Sequence, residues 1–184
     1  MLGNAMSFLG IRGWRWGLAT LSVAALISGC VPRAVHQNMV PTDLPRTTQH
    51  QSSVSIQVES DEVQLSTLPV QEFRVAIESA MTAAGIFRRV ESGAAGKYEI
   101  VVRVTSLDAP AAFAWDRQVR LVANWELRRS DTKAAIWKDV IATKFVTTTK
   151  DAWGGMTRTK LATEGAAKEN IREALEQIGR LKLE

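Results

Sequence analysis

The sequence contains a single cysteine, Cys30, so no disulfide framework can form within the chain. It contains two histidines, His36 and His50, with no cysteine or carboxylate spaced to complete a metal shell around them. Nucleophile elbow, phosphate loop and zinc-ligand spacing are all missing, which leaves the enzyme classes little support. Charge of one sign is not in marked excess either: 23 lysines and arginines face 19 acids, and Arg12 and Arg15 near the start account for half of the difference. That excess is too small to define a binding class, nucleic acid included. What is present is ordinary globular composition, 46% hydrophobic and 23% charged, which excludes wholesale disorder, collagen-like repeats and a polytopic membrane protein. Residues 30–184 suffice for one domain that needs neither disulfides nor a structural metal.

From a start at Met1 or Met6, the chain passes Arg12, Gly13, Trp14 and Arg15 and enters an apolar stretch from Trp16 to Ile27. This is the layout of an export signal. At about 1.5 Å per residue the stretch spans roughly 18 Å, well short of the ~30 Å hydrocarbon core, so it reads as the h-region of a signal peptide over residues 1–29. It closes on Ile27, Ser28, Gly29 and Cys30, which resembles the lipobox of bacterial lipoproteins: an aliphatic residue, two small residues and the cysteine. Small residues at 28 and 29 let an extended backbone enter a peptidase site, and the thiol is the nucleophile that takes up a diacylglyceryl group. The resemblance implies cleavage before Cys30, a diacylglycerol on its sulfur and an acyl chain such as palmitate on the new amino terminus. At about 0.8 kcal/mol per buried methylene, three chains hold a protein at a membrane for long times. Val31, where an aspartate would signal inner-membrane retention, implies the outer membrane with the domain facing the periplasm. The alternative is an ordinary signal peptide that leaves Cys30 a free thiol.

Val31 to Ser53 carries Pro32, Pro41 and Pro45 among polar residues, with no period of 2 or 3.6. Residues 30–53 therefore read as a lipidated cysteine and flexible tether holding both histidines, and residues 54–184 as the folded periplasmic domain. Val54, Ile56 and Val58 alternate as a half-buried strand. Pro69 fits the first turn of a helix whose apolar face is Val70, Phe73, Ile77, Ala80, Met81 and Ala84 and whose stop is Gly85. Ile86 and Phe87 are expected to tuck under the helix end. Tyr98 to Leu107, Gln118 to Arg128 and Ala134 to about Thr149 read as strands, the second with one wet face. A last helix carries Leu161, Gly165, Lys168, Ile171, Leu175 and Ile178 in register. The expected class is α+β, order β-α-β-β-β-α: an antiparallel sheet of about four strands with two helices on one face.

Few residues invite a site. Asp61 with Glu62 reads as a turn and helix entrance before it reads as an acid–base pair. Gly93 with Gly96, and Gly154 with Gly155, read as turns and not anion cradles. Cations at Arg117, Arg120, Arg128, Lys150 and Arg158 are compatible with a solvated surface or with lipid headgroups, lipopolysaccharide or an acidic protein. Trp125 reads as core. Trp115 and Trp153, in loops beside Pro110 and Gly154, are candidate interface residues, with Arg117 and Arg120 beside them.

From Phe73 to Ile178 the run of residue types resembles the YajG family of outer-membrane lipoproteins. It rests on a helix ending Ala83-Ala84-Gly85, a strand near Tyr98 to Leu107, a hairpin, and a last helix with Asn170 and Ile171 inside Ala166 to Ile171. More distantly the layout is similar to LpoB-type domains, which dock on penicillin-binding proteins, and to LptE, which plugs an outer-membrane barrel. The expectation is a non-enzymatic, lipid-anchored cell-envelope protein that binds a protein partner or lipid during assembly, transport or maintenance. It expects no cofactor beyond the acyl chains, no metal and no nucleic acid, and it leaves a homo-oligomer open. The alternative is a ligand-binding or hydrolytic domain with an unrecognised site.

Overall fold

The computed structural model describes residues 32–44, 50–61, 67–91, 93, 96–109 and 115–183. The signal peptide and the lipobox residues Ile27, Ser28, Gly29 and Cys30 lie outside them. In chain order the elements are α1 (His36–Met39), β1 (His50–Ser60), α2 (Val70–Ala84), β2 (Phe87–Glu91), β3 (Tyr98–Asp108), β4 (Arg117–Arg129), β5 (Ala135–Thr147) and α3 (Gly155–Ile178). No described helix is long and apolar enough to cross a membrane.

The class is α+β, but the sheet is mixed and has five strands, in the order β2-β1-β3-β4-β5. β1 is parallel to both β2 and β3, while β3–β4 and β4–β5 are antiparallel. The expected antiparallel sheet of about four strands fails at Phe87 to Glu91, a run too short and too irregular to show a period of 2. It becomes a strand because α2 returns the chain to the start of β1, whose open edge receives it with His50 opposite Phe87. The chain then crosses β1, since Val54 pairs with Val90 on one side and Tyr98 on the other. Gly96 lies in the crossing, where a Cβ would stand 2.5 Å from the Ser55 backbone nitrogen and 2.7 Å from the Tyr98 carbonyl oxygen. Close passage of two backbones, with no room for a side chain, is what requires glycine here.

The face of α2 is the one its spacing predicts, with Phe73, Ile77, Ala80 and Met81 buried. It ends at Gly85 (φ 64°), whose N–H closes on the Met81 and Thr82 carbonyls. Pro69 stands at the N-cap, one position before the expected first turn. On α3 the contact face is rotated from the expected stripe: Leu161 and Lys168 are half-buried, while Ala162, Ala166, Ala167, Asn170, Ile171, Ala174, Leu175 and Ile178 are buried. The alanines let the helix axis approach β4 and β5 closely, and Gly165 lies against the Phe145 ring. Polar groups then bridge the interface. Trp125 Nε1 donates to Asn170 Oδ1 at 2.9 Å, Asn170 Nδ2 donates to the Ile141 carbonyl at 3.0 Å, and Thr143 Oγ1 donates to the Ala166 carbonyl at 2.8 Å. Along β4 the buried residues Val119, Leu121, Ala123, Trp125 and Leu127 alternate with exposed or half-exposed ones. Both long helices cover the buried face, and the other face is open.

The tether expectation is corrected over residues 32–44, which form a strap packed on both long helices. Ala34, Met39 and Pro41 are buried. The Val35 N–H and Asn38 Nδ2 donate to the two oxygens of the buried Glu164 carboxylate, both at 3.0 Å. His36 donates its backbone N–H to Glu72 Oε2 at 2.8 Å, its ring Nδ1 meets the same oxygen at 2.8 Å, and Asp43 pairs with Arg172 at 2.6 Å. Glu164 and Glu72 thereby satisfy the open N–H groups of Val35 and His36 at the start of α1. The folded unit thus begins well before residue 54, with three helices instead of two, and both histidines belong to it. His50 opens β1, buried against the Phe87 ring.

Candidate interaction surface

Ser60 pairs with Val104 toward the C-terminal end of β3, and Arg117, first in β4, pairs with Thr147, last in β5. The β1–α2, β3–β4 and β5–α3 connections therefore gather at one end of the sheet. Trp115 and Trp153 both emerge there, 82% and 95% exposed, with Met156 half-exposed on the first turn of α3. The sequence placed both tryptophans in loops as candidate interface residues and left their burial open; the structure exposes them.

The Trp153 loop is held from both sides. Asp151 Oδ2 accepts the Thr148 N–H at 2.7 Å and the Thr148 hydroxyl at 3.0 Å, which hold the Asp151 carboxyl below its ordinary pKa. From α3, the buried Arg158 sends Nη1 to the carbonyls of Ala152 and Trp153 at 2.8 and 2.7 Å. Thr147 Oγ1 donates to the Arg158 carbonyl at 2.9 Å, with the Arg117 carbonyl 3.5 Å away, so β4, β5 and α3 are joined directly below the loop. A fixed backbone carries an indole almost wholly in solvent. Such a side chain can bury a large apolar area while little of its neighbouring chain needs ordering on contact.

Arg117 does not belong to the exposed surface expected for it: it is 1% exposed. It shares the phase of Val119 and Leu121 and so faces the helices, a position that the alternation of β4 itself indicates. Arg120 does lie on the open face, directly opposite Lys144, where with Gln118, Ala142 and Thr143 they line a concavity of about 400 Å³. Arg158, expected among the surface cations, is buried instead; nothing local in the sequence marks a cation at the start of a helix as a clamp on the preceding loop.

A larger concavity, about 660 Å³, lies on the open face between Glu59, Arg103, Asn124, Glu126, Arg128 and Lys138. Two of the carboxylates that line it are matched with cations across the ladders, Glu59 with Arg103 at 2.9 Å and Glu126 with Lys138 at 3.1 Å, and Asp139 accepts from Gln177 Nε2 at 2.7 Å. The neighbouring Glu99 meets Arg128 at 2.9 Å and Lys133 at 2.8 Å. The Arg128 hydrogen bond, aided by Lys133, holds the Glu99 carboxyl below its ordinary range against the opposing effect of burial. A general acid at neutral pH needs the opposite shift. Opposite charges facing each other across strands are also how a solvated sheet face supports its own register. Among the described residues no group of three His, Cys, Asp or Glu side chains is arranged to hold a metal ion.

No protein-family profile matches the sequence, and no curated protein matches it. Solved structures of similar fold include several bacterial proteins. A Xanthomonas campestris protein of the DUF330 family superposes with a TM-score of 0.54 at 12% identity, covering 78% of this chain and 89% of that one. A variant of PelC from Paraburkholderia phytofirmans, a dodecamer, gives 0.51 at 12% identity over 74% of this chain and 95% of its own. A minor lipoprotein from Acinetobacter baumannii gives 0.47 at 9% identity, with 69% and 91% covered. At these identities the likeness is one of fold.

Proposed function

We propose that this chain is a lipid-anchored protein of the bacterial envelope that acts by binding and not by catalysis, with the tryptophan-bearing end of the sheet as its contact surface. The observation that carries the reading is Trp153, 95% exposed on a backbone gripped by the buried Arg158, with Trp115 exposed at the same end. The lipobox-like Ile27-Ser28-Gly29-Cys30 supplies the anchor, and Val31 favours the outer membrane, as in the YajG-like lipoproteins that the sequence resembles. A ligand-binding or hydrolytic role would draw on the open-face concavity, and the pairing of Glu59 and Glu126 with cations there counts against that. PelC is a dodecamer; for this chain a second copy is a candidate neighbour of β5, whose outer edge pairs with no other described strand. Light scattering on the detergent-solubilised protein reads that out.

The test has two parts. Fatty-acid labelling in cells should mark the wild type and not Cys30→Ala; label on the variant refutes the anchor. Crosslinking in intact cells, from a photoreactive residue next to Trp115 or Trp153, should capture an envelope component. The Trp115→Ala, Trp153→Ala double variant should lose the capture while keeping its circular dichroism spectrum. Capture unchanged in the double variant refutes the surface.

A further inference from the structure

The chain enters the domain at the end that carries the tryptophans. The strap follows α3 in the direction of the helix itself, with Val35 bonded to Glu164 and Asp43 paired with Arg172. Traced backwards, it therefore runs toward the N-terminus of α3, where Trp153 and Met156 stand. A second contact fixes the same end independently. The Ala34 N–H donates to the Thr67 carbonyl at 2.8 Å, and Thr67 lies in the β1–α2 connection, at the same end of the sheet as the β3–β4 connection that bears Trp115. Cys30 precedes Ala34 by four peptide units, which reach at most about 14 Å fully extended.

A membrane that holds Cys30 thus lies within a short span of the end where two indoles are exposed. The charges there select the kind of contact. The exposed acids Asp61, Asp108, Asp116 and Asp151 are matched by the exposed cations Arg33, Arg120, Lys144 and Lys150, so no excess of cations draws this end to anionic lipid. Indole does: its apolar body and single N–H donor favour the boundary between headgroups and acyl chains. We propose that Trp115 and Trp153 seat in the headgroup boundary of the bilayer that carries the protein's own anchor, and so fix the domain's orientation on it. The proposal rests on the anchored reading above and names lipid as what the tryptophan surface meets.

The test uses the lipidated mature protein in phosphatidylcholine vesicles whose acyl chains are brominated near the headgroups. Bromolipid should quench the emission of Trp115 and Trp153 and protect it from aqueous iodide. In the Trp115→Phe, Trp153→Phe double variant, the buried Trp125 and half-buried Trp137 should show neither effect. Emission open to iodide and untouched by bromolipid overturns the proposal, whether the indoles then face water or crosslink to a protein in cells. So does quenching that needs anionic lipid and vanishes at high salt, which would assign the contact to Arg120 and Lys144. Labelling separates the two readings. If Cys30 carries no fatty acid, the anchor fails, and unlipidated chain on excess vesicles then decides: bromolipid quenching there supports the tryptophan surface, and its absence overturns it.

Discussion

Replacing Asn170 by leucine removes a side chain of α3 that bonds to β4 and β5 at once. Asn170 is fully buried, accepts the Trp125 indole N–H at 2.9 Å and donates to the Ile141 carbonyl at 3.0 Å. Leucine has the same branched skeleton with bulkier methyl ends, so the change leaves no cavity, and its main cost comes from stranding a donor and an acceptor away from water. At about 1–3 kcal/mol for each stranded group, Asn170→Leu should destabilise the fold by about 2–5 kcal/mol. Urea denaturation followed by far-UV circular dichroism measures this as a lower midpoint with an unchanged slope. A cycle with Trp125→Phe separates the hydrogen bond from general packing. Each single change strands the other partner and the double change strands neither of that pair, so the double variant should be more stable than additivity predicts by about 1–2 kcal/mol. Additive costs, or a near-neutral Asn170→Leu, would refute the claim that this bridge sets the seating of α3.

Met39→Ala should cost about 2–5 kcal/mol, because Met39 is the fully buried residue by which the strap's helix packs on the domain; a value within error of zero would return residues 32–44 to a free tether. Gly96→Val should prevent or strongly weaken folding, since its Cβ would meet the backbone of Ser55 and Tyr98, whereas Gly93→Ala meets no atom and costs only the strain of its positive φ. Comparing their thermal midpoints checks this, and equal losses would refute it. Glu99 has a folded pKa below its ordinary 4.5, so its contribution to stability is complete above that value and is lost as the pH falls through the folded pKa. Denaturation midpoints across that acid range should fall more steeply for the wild type than for Glu99→Gln, and parallel curves would refute the pairing with Arg128 and Lys133.

Local periodicity determined much of this protein from the sequence alone. The α2 stripe from Phe73 to Met81, the stop at Gly85, and the alternation of β3 and β4 each follow from a spacing that buries one face, and burial of apolar surface is a local instruction to the backbone. The placing of Trp115 and Trp153 in connections was legible too, from the turn residues near them, while their exposure was left to the fold. Arg117 was misplaced, although its phase with Val119 already pointed inward. Tertiary structure alone decided the rest. β2 exists because β1 offers it an edge, the strap because Glu72 and Glu164 supply acceptors from distant helices, and the rigidity of the Trp153 loop because Arg158 turns back onto it. Each depends on hydrogen-bonding groups brought together by the fold, and a polar contact between distant residues leaves no period in the sequence.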